Sequence, residues 1–95
     1  MAKPEILIYD YFGKGGVTAK GIASQLRDLG GNDVTIRINS PGGSVFEGLA
    51  TYNQLKDYPG HKTVKIDGLA ASMASGVAMA GDEVEAEDGG GYDCS

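Results

Sequence analysis

Asp67-Gly68-Leu69-Ala70-Ala71-Ser72-Met73-Ala74-Ser75 places a serine among small residues, where an apolar strand gives way to a helix-like run. Upstream, Asn39-Ser40-Pro41-Gly42-Gly43 closes another strand with a glycine turn, whose bare backbone N–H groups can approach a substrate carbonyl. A serine at a helix start facing such a turn forms half of an acyl-transfer site. The other half, a histidine base with its orienting acid, is not evident in the sequence.

Working outward, Ile6-Leu7-Ile8-Tyr9 reads as a buried strand that ends in the flexible Phe12-Gly13-Lys14-Gly15-Gly16. Thr18 is placed to cap a helix in which Ile22, Leu26 and Leu29 recur at helical spacing, and Gly30-Gly31 stops it. Val34, Ile36 and Ile38 alternate with Thr35 and Arg37, the pattern of a strand with one wetter face. After the glycine turn Ser44 caps a second helix, expected to bury the face Val45, Leu49, Tyr52 and Leu55 up to the Tyr58-Pro59-Gly60 break. Thr63, Val64 and Ile66 form a third strand, residues 71–80 a helix buried on nearly all sides, and Val84 begins a fourth strand. Strand and helix alternate as in a mostly parallel α/β sheet. Sites in such folds gather at the carboxyl ends of strands, where both motifs fall.

Ninety-five residues make one domain with a thin core, since a chain this short buries only roughly 60–65% of its unfolded surface. Residues 1–84 read as the α/β domain and 85–95 as an acidic, glycine-rich tail. The net charge of −5 conceals an asymmetry: all 8 basic residues precede Gly81, while 6 of the 13 acidic ones follow it. No basic stripe exists to hold phosphates, which argues against nucleic acid as a partner. Cys94 is the single cysteine, so no intrachain disulfide forms and a reducing, cytoplasmic setting is expected. The apolar run near the amino end is too short for a secretory signal or a membrane span.

The Ala70-Ala71 pair lets the backbone turn sharply and keeps the Ser72 hydroxyl uncovered. A helix starting near Ser72 would turn its free N–H groups and dipole toward developing negative charge. The backbone N–H of Met73 is well placed for an oxyanion, and Gly43 is placed to supply a second. On composition alone, a serine that merely lets two helices pack closely explains Ser72 as well. Ser75, one turn later, faces back into the protein, and Ser40 and Ser44 have turn and cap explanations.

Residues 38–53, from Ile38-Asn39-Ser40-Pro41-Gly42-Gly43 through Asn53, followed by residues 67–75, resemble the Clp protease proteolytic subunit family. The resemblance is nearest to the phage and prophage branch, the Clp-like head maturation proteases, and runs from about Glu5 to Val84. It implies a Clp/crotonase-type α/β fold and a serine endopeptidase working inside a ring-shaped homo-oligomer. It assigns the nucleophile to Ser72 and the oxyanion donors to the N–H groups of Gly43 and Met73. It also assigns an extended peptide to backbone pairing along Gly42, Gly43, Gly68 and Leu69. The implied partners are peptide or protein substrates, with an AAA+ unfoldase or phage capsid proteins beyond them; no cofactor, metal, nucleic acid or membrane is called for.

The match breaks after Ser72. Only 23 residues follow it, and they carry acids and glycines where the family has the strand leading to its histidine and, later, its aspartate. The chain therefore reads as the N-terminal portion of such a protease, inactive by itself. His61 is the only histidine, and it opens the strand whose other end leads to Ser72. Five or six extended residues would separate the two by roughly 17–20 Å, against the ~3.2 Å a general base needs. Asp10 and Asp67 are expected to close strands, and Lys65 to lie on a sheet face. Two other readings share these features: a crotonase-fold acyl-CoA enzyme, which the Ala-Ala-Ser-Met context disfavours, and a non-catalytic oligomerisation or binding module.

Overall fold

The computed structural model describes residues 4–71, 73–86 and 91–92, with only the backbone of Leu69, Ala86, Gly91 and Tyr92. Within it, β1 (Glu5–Ile8), α1 (Ala19–Leu29), β2 (Val34–Ser40), α2 (Val45–Asp57), β3 (Lys62–Ala70), α3 (Met73–Ala78) and β4 (Glu83–Ala86) follow in order. A two-residue β5 (Gly91–Tyr92) pairs with the end of β3. The four main strands lie in sequential order and all are parallel, which is the α/β sheet expected. Parallel crossovers share one hand, so strands added in sequence place every connecting helix on the same face. Accordingly α1 packs on α2 and α2 on α3. Ile6, Ile8, Val34, Ile36, Ile38, Val64 and Ile66 are buried beneath them.

Local chemistry sets the helix ends. The Thr18 hydroxyl accepts the Gly21 N–H at 3.2 Å, and Ser44 accepts that of Glu47 at 3.3 Å. Gly30 ends α1 in the left-handed conformation at φ 63°. The Lys62 ammonium, buried at the entrance to β3, donates to the carbonyls of Tyr58 (3.1 Å) and Gly60 (3.3 Å) just past α2.

Three expectations are corrected. The buried side of α2 is Gly48, Thr51 and Leu55, with Tyr52 packed at its margin, whereas Val45 and Leu49 are 61% and 51% exposed. Gly48 decides this: a Cβ there would sit 2.8 Å from the Met73 methyl carbon, so the helix turns its one bare position toward α3. The third helix is six residues long, not ten. Past Ala78 its backbone tightens into three-residue turns, Met79 to Gly76, Ala80 to Val77 and Gly81 to Ala78. Finally, β3 does not close at Asp67 but continues to Ala70, which pairs with Ser40 across a break in register.

Candidate active site

At the carboxyl end of the sheet one buried side chain joins three backbone segments. Ser40 ends β2 fully buried. Its Oγ donates to the Asp10 carbonyl at 2.8 Å and accepts the Gly42 N–H at 3.2 Å. Its own carbonyl accepts the Ala71 N–H at 3.2 Å. The segment just past β1, the glycine turn and the residue just before Ser72 are thus tied to a single serine. Sequence reasoning assigned Ser40 only a turn role. The signal was present, because the inward alternation Val34, Ile36, Ile38 continues onto it.

Gly42 and Gly43 come next at φ 104° and 136°. The Phe12 N–H donates to the Gly42 carbonyl and the Ser44 N–H to the Phe12 carbonyl, both at 2.8 Å. This parallel bridge straddles Gly43 and leaves its own N–H turned away from Phe12; no described residue accepts from it. A Cβ on Gly43 would lie 2.7 Å from the Phe12 nitrogen and nearer still to its carbonyl oxygen. Only glycine fits, on grounds of both space and backbone angle. By contrast the Gly42 N–H donates to Ser40 and its carbonyl accepts from Phe12.

Ser72 itself lies outside the described residues, as do the tail acids at 87, 88 and 93 and Cys94. Its neighbours bracket it: Ala71 is held by Ser40, and Ala74 donates to the Ala71 carbonyl at 3.0 Å. Met73 opens α3, so its N–H has no acceptor within the helix. Ser75 is buried, as expected. Leu69 and Ala70 pair with Gly91 and Tyr92, and Ala70 also pairs with Ser40. A peptide pairing along Gly68 and Leu69 would have to compete with the chain's own β5. Gly68 is hemmed in as well, since a Cβ there would stand 2.9 Å from the Asn39 Oδ1.

The titratable candidates lie elsewhere. Asp67 accepts from Arg37 Nη1 at 2.8 Å and from the Tyr9 hydroxyl. The bond to Asp67 holds the Tyr9 phenol above its usual range, and Arg37, bonded to Glu5 and beside Asp67, is likewise raised. The Asp10 carboxylate takes the N–H of its neighbour Tyr11 at 2.8 Å. Lys65 sits mid-strand between Arg37 and Glu85. His61 is at the other end of β3, with Nδ1 3.9 Å from Asp82 and Nε2 3.5 Å from Glu83. Because β3 is nine residues long, at about 3.3 Å each it keeps His61 farther from the site than the sequence reading placed it.

The Clp protease family profile matches residues 7–86. An ATP-dependent Clp protease proteolytic subunit from Bacteroides fragilis is 41% identical over 68 residues, covering 67% of this chain and 33% of that protein. Subunit 3 of the same protease from Rhodococcus jostii is 45% identical over 49 residues, 52% of this chain and 24% of its own length. The solved structure of ClpP1 from Listeria monocytogenes superposes with a TM-score of 0.74 at 28% identity, covering 81% of this chain and 46% of that one. The chain spans about a third of the length of the Bacteroides fragilis subunit.

Proposed function

The chain belongs to the Clp protease family, and from that premise we propose that it carries the nucleophile and oxyanion hole of a serine endopeptidase. The observation that carries the reading is the Ala71–Ser40 hydrogen bond, which ties the residue before Ser72 to the segment that presents the Gly43 N–H. Ser72 Oγ attacks the scissile carbonyl carbon, and the carbonyl electrons move onto oxygen. The N–H groups of Gly43 and Met73 hold that oxyanion without reorganising, since both are fixed by the fold; one such donor is typically worth ~3–4 kcal/mol in the transition state. As the intermediate collapses the amine leaves with a proton, and water then releases the acyl group from Ser72. The serine proton goes to a general base, and His61, a strand's length away, is not placed to be that base. Peptide hydrolysis by the 95 residues alone should therefore be indistinguishable from that of Ser72→Ala.

The phage head-maturation branch is the form of the family we assign, on residues 38–53 and 67–75. The substrate is an unfolded protein or peptide, and the protein works in the cytoplasm as a homo-oligomer. Val45, Phe46 (86% exposed) and Leu49 support self-association, standing unburied beside the glycine turn. The acyl-CoA reading is not favoured, since the matched family is a protease. The test uses a chimera in which the histidine-bearing remainder of a Clp relative is joined after residue 86. A fluorophosphonate should label Ser72; an adduct at Ser75, or labelling that persists in Ser72→Ala, would overturn the assignment. Selective binding of an acyl-CoA without peptide cleavage would restore the crotonase reading.

A further inference from the structure

We infer that Asp67, clasped by Arg37 and Tyr9, is a positioning residue that sets the path of the backbone into Ser72; the inference rests on the peptidase reading of the site. It begins with register. Ile38 faces Ile66, but the next pair is Ser40 with Ala70, so residues 67–69 of β3 stand against the single Asn39 of β2. Such a bulge bends its strand and re-aims the residues beyond it. Those residues are Ala70 and Ala71, which precede Ser72 in the chain.

The bulge is held at both ends. Arg37, on the central strand, reaches sideways with Nε to Glu5 of β1 (2.9 Å) and with Nη1 to Asp67 of β3 (2.8 Å). Its planar fork fixes direction as well as distance, which a lysine ammonium does not. Tyr9, just past β1, donates to the second Asp67 oxygen. At the far end Ala71 binds Ser40. Between these anchors Gly68 lies against the Asn39 side chain, whose Oδ1 would stand 2.9 Å from a Cβ there. All the slack between the regular sheet and Ser72 is confined to residues 67–70. Among the described residues the clasp lies on the sheet face opposite α1, α2 and α3, and partly exposed ion pairs there add little to global stability. Its effect is therefore local, on the strand end, and not a general support of the fold.

The test measures amide hydrogen exchange on the ¹⁵N-labelled 95-residue chain, with no hydrolysis required. In Asp67→Asn the Ala71 amide should exchange at least ~10-fold faster, and the Gly43 and Met73 resonances should shift, while Ile36 and Val64 change less than ~2-fold. Arg37→Lys should give the same pattern, because the ammonium keeps the charge and loses the fork. Uniform acceleration through β2 and β3, or an unchanged Ala71, overturns the inference. If Asp67→Asn does not fold, Tyr9→Phe, which removes one exposed hydroxyl, decides it by the same criterion. Failure of the peptidase reading would show separately, as a missing adduct on Ser72.

Discussion

At its amino end β3 enters the sheet through charged side chains, His61, Lys62, Asp82 and Glu83; at its carboxyl end it leaves through a bulge, two alanines and a ring of backbone hydrogen bonds. The first end has the imidazole, the carboxylates and the ammonium from which acid–base chemistry is usually assembled. Those groups are occupied with the fold. Lys62 satisfies the carbonyls just past α2, and Asp82 accepts the Lys62 N–H at 2.8 Å, which lowers the Asp82 carboxyl below its usual range. At the second end the described titratable groups Tyr9, Arg37 and Asp67 are bonded to one another, and it is there that we propose the nucleophile and oxyanion donors lie. Titratable residues are a poor guide when the decisive donors belong to the backbone.

That contrast breaks most visibly at Gly43. Gly43→Ala forces a side chain against the Phe12 backbone at an unfavourable φ, and should cost on the order of 3 kcal/mol. Thermal unfolding by circular dichroism should then show a Tm lower by at least ~10 °C. Gly30→Ala is the matched control: its φ is also positive, but open space surrounds it, so about 1 kcal/mol is expected. Equal losses at the two glycines would remove the claim that Gly43 is held by close approach. Ser40→Ala comes next. It strips a buried donor and acceptor from Asp10 and Gly42, and should cost about 2 kcal/mol in urea unfolding.

These effects separate what the residues alone make legible from what they do not. Thr18, Ser44, Gly30 and the Val34–Ile38 alternation were readable because each is decided within a few neighbouring residues. The buried side of α2 was not, since it depends on Met73 meeting Gly48 from another helix. Nor was the end of β3: Asp67 reads as a strand terminus until Arg37, 30 residues earlier, holds it in the sheet. The glycine turn and the Ser72 junction were visible as motifs. Their connection through Ser40 needed the fold.

At the amino end the expected effects are smaller and depend on pH. The Asp82 pKa is lower in the folded chain than in the unfolded one, chiefly through the Lys62 N–H. Its contribution is therefore fully present above the ordinary carboxylate pKa and is lost as pH falls through the depressed folded value. The gap in unfolding midpoint between the wild type and Asp82→Ala should be constant near neutrality and close in acid; a gap that widens in acid would reverse the assignment. His61→Ala should change stability by no more than ~0.5 kcal/mol, since its ring is half exposed and its carboxylate contacts are long.

The most direct test of the account is peptide hydrolysis by the chimera that restores a histidine-bearing remainder after residue 86, compared with its Ser72→Ala and His61→Ala variants. Turnover should fall to background in Ser72→Ala and stay within about twofold of the parent in His61→Ala, because a base must stand within hydrogen-bond reach of the serine. Activity that survives Ser72→Ala, or that disappears with His61, would contradict the claim that the site is built at the carboxyl end of β3 alone.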